Sequence, residues 1–478
     1  MRKKIILLSA IAAMTTTTIA STDIESRLDN MEKKITKLEK KLKKANKKLN
    51  AVKAHDASDN LKWNIDFRTS VDKIEYKFAD GHKSTNDNLF TNRLWMNMAY
   101  APSENITFYG RLSYLKAYGA EANNDQRSGT TDNGTFDWVS NESAQGDNSL
   151  NVKQAYWLYM NDTFLGKDIS WTASVGRRPS TDGMLAHYRE DQKQQSALAH
   201  TVNVEFDGAS FRWNLDKITP MEGSWFKLCM GRGITNAKPR FNGADADYSN
   251  DTTEHSDSNM LGLIFVPYDD GQYSLHTNWA TSTHLIGKRA IASAGADTTF
   301  RDFGGMSWIT AVFVADGLGE DISDRLNETK IFVSFAQSKS DPNDGVSGSN
   351  MLGSSTSQTG TSTWIGMTTP CPISPDATIG LEWNRGSKYW RSMTYAEDTM
   401  IGSKIAARGT AMEIYYNKPI TKALSASLRY TQIEYDYSGS NGFFGSDSAP
   451  TAISSSMASA SNYVAEASDV RAYIRYRF

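Results

Sequence analysis

Beyond its first twenty residues, this chain of 478 residues has no apolar run approaching the ~20 residues that a membrane-spanning helix needs. That excludes a helical membrane protein. Thiols are nearly absent too. Cys229 and Cys371 are the only cysteines, one inside a strand-like run and the other in a proline-flanked turn, a setting that favours free thiols over a disulfide. Charge of one sign is missing, since 52 Lys and Arg stand against 54 Asp and Glu, so nucleic acid finds no basic surface. The seven histidines (55, 82, 187, 200, 255, 276 and 284) show no spacing with Ser or Asp that would make a nucleophile–base pair. No phosphate loop or zinc pattern occurs. The segment HYRED at 187–191 has one His among scattered carboxylates, and DADYSNDTTEHSD at 245–257 lacks the glycine and glutamate spacing of a calcium loop. The reading therefore assigns no enzymatic activity, no cofactor and no metal.

What is present has a different character. Aromatics make up 11% of the chain, with 12 Trp and 21 Tyr, although hydrophobic residues reach only 39% and mean hydropathy is negative. Low hydropathy with many aromatics and alternating segments is the pattern of a membrane β-barrel, whose strands meet lipid on one face only. The beginning fits export. Arg2, Lys3 and Lys4 precede an apolar run over 5–14 and the small-residue exit Thr18-Ile19-Ala20. Residues 1–20 read as a bacterial signal peptide cut after Ala20, with no cysteine at the cut for a lipid anchor.

Residues 21–57 form a second segment. Leu28, Ile35, Leu42 and Leu49 recur at heptad position a, and Ile24, Met31, Leu38, Ala45 and Val52 at d. Lys dominates between them. As one helix, 24–53 would span roughly 45 Å, with an apolar seam that requires a partner. The seam predicts a homo-oligomer, a homotrimer by analogy with porin barrels. A helix packed on or inside its own barrel, and a Lys-rich tether to peptidoglycan, remain open alternatives.

From residue 58 to 478, alternating segments repeat. Leu61, Trp63, Ile65 and Phe67 alternate with polar residues, as do Leu94, Met96, Met98 and Tyr100, and then Phe108, Gly110, Leu112 and Tyr114. Thirteen more segments follow, which predicts an all-β transmembrane antiparallel barrel of about 16 strands. The segment 200–216 changes phase at Asp207-Gly208, and a bulge there keeps it one strand. Most long connections then fall on one side and the short ones on the other, with both ends of the chain in the periplasm. The last strand, VRAYIRYRF at 470–478, turns Val470, Ala472, Ile474, Tyr476 and Phe478 to lipid. Its Tyr476 and terminal Phe478 resemble the signal read by barrel-insertion machinery. The expected surroundings are outer-membrane lipid and lipopolysaccharide.

The blocks SVGRRPSTDG at 174–183, IGLEWNRGSKYW at 379–390, RGTAMEIYY at 408–416 and YDYSGS at 435–440, with the signal and coiled segments, resemble the family known as domain of unknown function 3373. That resemblance implies an outer-membrane, porin-like protein of epsilon-class proteobacteria. It brings no substrate and no catalytic residues.

The water-facing positions suggest a channel for small polar or anionic solutes. Arg68, Arg93, Arg111, Arg429, Arg471 and Arg475 form one basic wall if strand sixteen closes on strand one. Glu382 and Glu413 lie nearby. Asp182, Glu190 and Asp191 sit in the loop 179–199, which is expected to fold inward and oppose the arginines across a constriction. For any single residue, simple charge pairing within a packed lumen is an equal alternative. A structural protein that tethers the membrane to the cell wall, with conduction incidental, is the other function that stays open.

Overall fold

The computed structural model describes residues 61–119, 150–195, 197–237, 248–249, 256–287, 300–318, 322–343, 350–394, 399–457 and 459–478. The signal and coiled segments lie outside the described residues, as does most of 245–257.

Among these residues, sixteen strands close into an antiparallel barrel. In chain order they are β1 (Lys62–Phe78), β2 (Lys83–Ser103), β3 (Ile106–Ala117), β4 (Asn151–Asn161), β5 (Trp171–Arg178), β6 (Phe206–Asn214), β7 (Trp225–Ile234) and β8 (Ser258–Asp269). They continue with β9 (Tyr273–Ser282), β10 (Gly304–Asp316), β11 (Lys330–Pro342), β12 (Thr359–Pro370), β13 (Thr378–Gly386), β14 (Gly409–Pro419), β15 (Leu424–Tyr435) and β16 (Val464–Arg477). Each pairs with its neighbour in sequence, and β16 pairs with β1, with Arg475 opposite Arg68 and Arg471 opposite Asp72. The circle is completed by the final residue. Phe478 N–H donates to Ile65 O, and Ile65 N–H to Phe478 O, both at 2.9 Å.

Alternation explains the two faces of this sheet. On β1, Trp63, Ile65 and Phe67 face outward and stay exposed, while Asp66, Arg68, Ser70 and Asp72 turn inward and are buried. On β16, Val470, Ile474 and Tyr476 are outward, and Arg471, Tyr473 and Arg475 inward. At the end of the barrel that carries short turns, Phe164 meets Trp171 and Trp213 edge-on and Trp213 stacks on Phe226, which makes a band of rings. Such bands sit where apolar and aqueous phases meet.

Three features depart from the sequence reading. The stretch 69–92, outside the alternating segments read from the sequence, continues β1 and β2 as a long hairpin with a turn at 79–82. There the strands exceed the ~10 residues needed to cross a bilayer, and cross-strand ion pairs such as Lys83–Glu75 (2.7 Å) replace apolar contacts. Second, 200–216 is not one bulged strand. Only β6 belongs to the barrel, and its pairing with β5 runs without a register shift through Gly208. Val202–Asn203 instead pairs in parallel with Met393–Thr394, inside the lumen. The phase change therefore marks the exit from a buried loop. Third, β10 is apolar on both faces. Met306, Trp308, Val312 and Val314 point inward while Ile309 and Phe313 point outward, as expected of a strand packed on two sides.

Both cysteines are free. Cys229 lies within β7, and Cys371 in the turn after β12.

Candidate functional site in the lumen

Among the described residues, the connections 179–205 and 387–408 pack against the inner face of the barrel. The first, 179–205, follows β5 and contains the one-turn helix α1 (Ala186–Arg189). Met184, Leu185, Ala186, Leu198 and Ala199 pack against Val312, Val314, Phe332 and Trp364 of β10–β12 and against Ile405. Burying such side chains stabilises the loop by roughly 1.5–3 kcal/mol each, so it is anchored as a core element. His200 is fully buried at its base, with Nδ1 2.7 Å from Ser334 Oγ and Nε2 2.9 Å from Ser362 Oγ. Trp364 and Trp390 meet the imidazole edge-on. Burial pushes His200 down to about 3 and His187 down to about 4, because neither can be charged cheaply without water. With both ring nitrogens held by hydroxyls and no exposed surface, His200 acts as a latch and cannot reach a substrate.

The second inward connection is 387–408. Trp390, Arg391, Met393, Lys404, Ile405 and Arg408 are all buried. Arg408 Nη1 donates to Ser448 O at 2.6 Å and Arg391 Nη2 to Gly442 O at 2.6 Å, which pins this loop to the connection after β15.

The tip of the first loop meets the arginine wall directly. Arg429 Nη2 lies 2.7 Å from Glu190 Oε1, Arg189 Nε 3.3 Å from the same oxygen, and Arg68 Nη1 3.8 Å from Oε2. Arg475 Nη1 donates to Glu190 O at 2.6 Å, and the same guanidinium pairs with Asp66. Arg93 is 3.8 Å from Asp66 and stacks 3.7 Å from the centre of Trp95. Arg471 Nε pairs with Asp72 at 2.5 Å. Arg111, only half-buried, donates to Asn97 Oδ1 at 2.6 Å and lies 4.4 Å from the centre of Trp95. Asp182 and Glu205 are within electrostatic reach of it.

Thus five of the six predicted arginines do sit side by side, on β1, β2, β15 and β16, but each is only 1–2% exposed. Of the pore and pairing alternatives, these contacts are those of pairing. The expected field across a wet constriction between Glu190 and the arginines is replaced by contact, because the loop reaches the wall. Asp191 lies at the rim, exposed, 2.8 Å from Arg477. Glu382 and Glu413 stand directly opposite each other on β13 and β14. Lys404 from the second loop bridges them, with Nζ 2.6 Å from Glu382 Oε2 and 2.7 Å from Glu413 Oε1. Arg189 Nη1 reaches Glu413 Oε2 at 3.2 Å.

Sequence reasoning missed Asp66, Asp72, Arg189 and Lys404. Asp66 and Asp72 share the inward parity of Arg68, and that parity was the available signal. Lys404 and Arg189 lie on irregular loops and carried none. No group of three or more potential metal ligands occurs among the described residues.

A closed antiparallel barrel with an apolar exterior, a charged interior and an inward-folded connection after β5 defines a porin-like protein. The chain belongs to the family described as Protein of unknown function (DUF3373), whose model matches residues 83–478. Among solved structures it is similar to OprB of Pseudomonas putida at high pH, with 13% identity, 87% of this chain and 94% of that one covered, and a TM-score of 0.47. It is also similar to an anion-selective porin from Comamonas acidovorans (11% identity, 88% and 99% covered, TM-score 0.45). A third is OmpT of Vibrio cholerae in its trimer form (11% identity, 88% and 99% covered, TM-score 0.43). No curated protein matches the chain.

Proposed function

We propose that this protein is an outer-membrane channel for the passive diffusion of small polar and anionic solutes. The observation that carries the reading is the asymmetric filling of the barrel. Apolar contacts from the loop 179–205 cover the inner face of β10–β12, whereas the inner face of β3–β7 keeps half-buried polar and basic side chains such as Arg111, Tyr156, Arg178, Arg212 and Lys227. A polar, partly wet strip beside a packed plug is suited to slow, selective passage rather than wide-open flow.

The heptad seam at 24–53 supports a further step, assembly of the barrel through the coiled segment, for which a trimer is the expected number. The Lys-rich character of the same segment also supports a tether to the cell wall. Deleting 24–53 separates the two. Tethering predicts membrane blebbing with conduction retained, and assembly alone predicts loss of oligomers without blebbing.

The channel reading is tested by reconstituting the purified protein in liposomes and following swelling in iso-osmotic solutes. Small sugars and carboxylates should enter faster than into protein-free liposomes, with rates falling steeply with solute size. Liposomes that swell no faster than protein-free ones would remove the channel reading.

A further inference from the structure

The inner face of β5–β7 carries a set of cations unlike the arginine wall. Register fixes which residues face inward. Ser174 of β5 lies opposite Ser210 of β6, and their hydroxyls are 3.2 Å apart, both buried. Ser210 lies opposite Cys229 of β7, and two residues on Arg212 lies directly opposite Lys227. Directly opposed side chains on one face have Cβ atoms ~4.5–5.5 Å apart, and like charges so placed destabilise a sheet. Arg178, four residues beyond Ser174 on the same face, points back along the strand and donates from Nη1 to Ser174 Oγ. Its charge and that of Arg212 both act on Lys227.

The guanidinium groups are held in place by aromatic rings. Arg178 lies 4.9 Å from the centre of Tyr156, which itself stacks on Tyr109, and Arg212 lies 4.2 Å from the centre of Trp225. Arg212 Nε donates to Asn214 Oδ1 at 3.1 Å. Among the described residues, neither Arg178 nor Arg212 has a carboxylate within ion-pair distance. The contrast with the other wall is instructive. Arg68, Arg93, Arg429, Arg471 and Arg475 are each matched by an acid and sealed from water, while Arg178 and Arg212 are half-buried, and only at longer range do Asp269 and Asp216 act on Arg212. Arg178 also lines a small cavity of about 60 Å³ with Ser210, Cys229 and Asn278, the rest of whose wall is mostly apolar and includes neither Arg212 nor Lys227.

We propose that Arg178, Arg212 and Lys227 form a binding site for a compact oxyanion, a carboxylate or a phosphate. A guanidinium whose plane is fixed against a ring leaves its N–H edge free to grip two oxygens of one anion, and an ammonium opposite adds charge without geometric demand. Access to the strip rests on the channel reading, and the binding itself does not.

The test is calorimetric titration of inorganic phosphate into the purified, detergent-solubilised full-length protein at low ionic strength. Wild-type protein should bind saturably. R178Q and R212Q should each weaken binding about tenfold or more, and R178K and R212K, which keep the charge but lose the fork, by less. R385Q, which removes a charge paired with Asp436 at an exposed position, should bind as wild type does. If a Gln variant fails to show the heat-dependent gel shift of a folded barrel, the Lys variants decide, because unchanged affinity in both would overturn the proposal. So would absence of saturable binding by the wild type, or equal loss in R385Q. Phosphate binding by a protein that passes no solute would uphold the site and overturn the channel.

Discussion

Replacing Lys404 with methionine removes the one ammonium that lies between two opposed carboxylates. Glu382 and Glu413 are Cα partners on adjacent strands, both on the inner face and both at most 5% exposed. Methionine fills most of the volume, so the change is electrostatic. Breaking a buried pair by deleting one partner costs about 3–5 kcal/mol, since a desolvated charge is left behind. Three partners remain. Arg189 Nη1 still reaches Glu413, Thr431 Oγ1 still donates to Glu413 Oε2 at 2.8 Å, and Trp364 Nε1 still donates to Glu382 Oε2 at 2.9 Å. The loss should therefore fall near the lower end, ~3 kcal/mol, and the loop 387–408 should loosen with it. Urea unfolding of the barrel in detergent or vesicles, followed by tryptophan fluorescence, measures the change. A second replacement, Glu382→Gln in the same chain, removes one of the two charges and should restore at least half of the loss. Stability of K404M within ~0.5 kcal/mol of wild type would refute the bridge, as would a double variant weaker than the single.

Deleting Phe478 removes the residue whose backbone closes β16 on β1 through Ile65, and should lower the amount of assembled barrel in the membrane fraction while synthesis continues; normal surface levels would count against it. Acidification should weaken the plug. The folded pKa values of His200 and His187 lie below the ordinary one, so stability is intact above about pH 6.5 and falls as pH drops toward about 3 and about 4 respectively, by ~2 kcal/mol per imidazole at pH 5; H200Q should flatten part of the measured pH dependence of unfolding. Gly380 faces the ring of Tyr415, where an added Cβ would lie 1.9 Å from Cζ, so G380A should cost about 1–3 kcal/mol by overpacking and disturb the 2.7 Å contact between Tyr415 Oη and Thr368 Oγ1; an unchanged unfolding midpoint would be contrary. Leu38 and Leu42 changed together to Asp should reduce the native assembly to monomers, read by native mass measurement.

Much of the barrel was legible because lipid and water impose a period of two. The outward rows of β1 and β16 could be assigned residue by residue, and the closing pair of strands followed from the terminal alternation. Legibility failed where that alternation did. In β10 the run MSWITAVFVA is apolar at both parities, and its continuous character is the trace of a plug packed against the inside. Val202 and Val204 mimic a strand because they too alternate, yet they belong to a loop whose burial depends on contacts distant in the chain. The arginine wall was readable as an alignment but not as a function. Its partners Asp66 and Asp72 are on the same face, whereas Glu190, Arg189 and Lys404 arrive from irregular segments with no periodic signal. Arg212 and Lys227 share the inward parity of their strands, and that parity was the available signal.

The account's central claim, that solutes pass along a basic strip beside the plug, is met most directly by reversal potentials of the purified protein in a planar bilayer under a tenfold KCl gradient. The wild type should conduct with a preference for chloride. Neutralising Arg178 and Arg212 together should shift the reversal potential toward potassium, and the shift should shrink as total salt rises and the Debye length contracts below about 8–10 Å. A strongly potassium-selective wild type, or a double variant with unchanged selectivity at low salt, would contradict the claim.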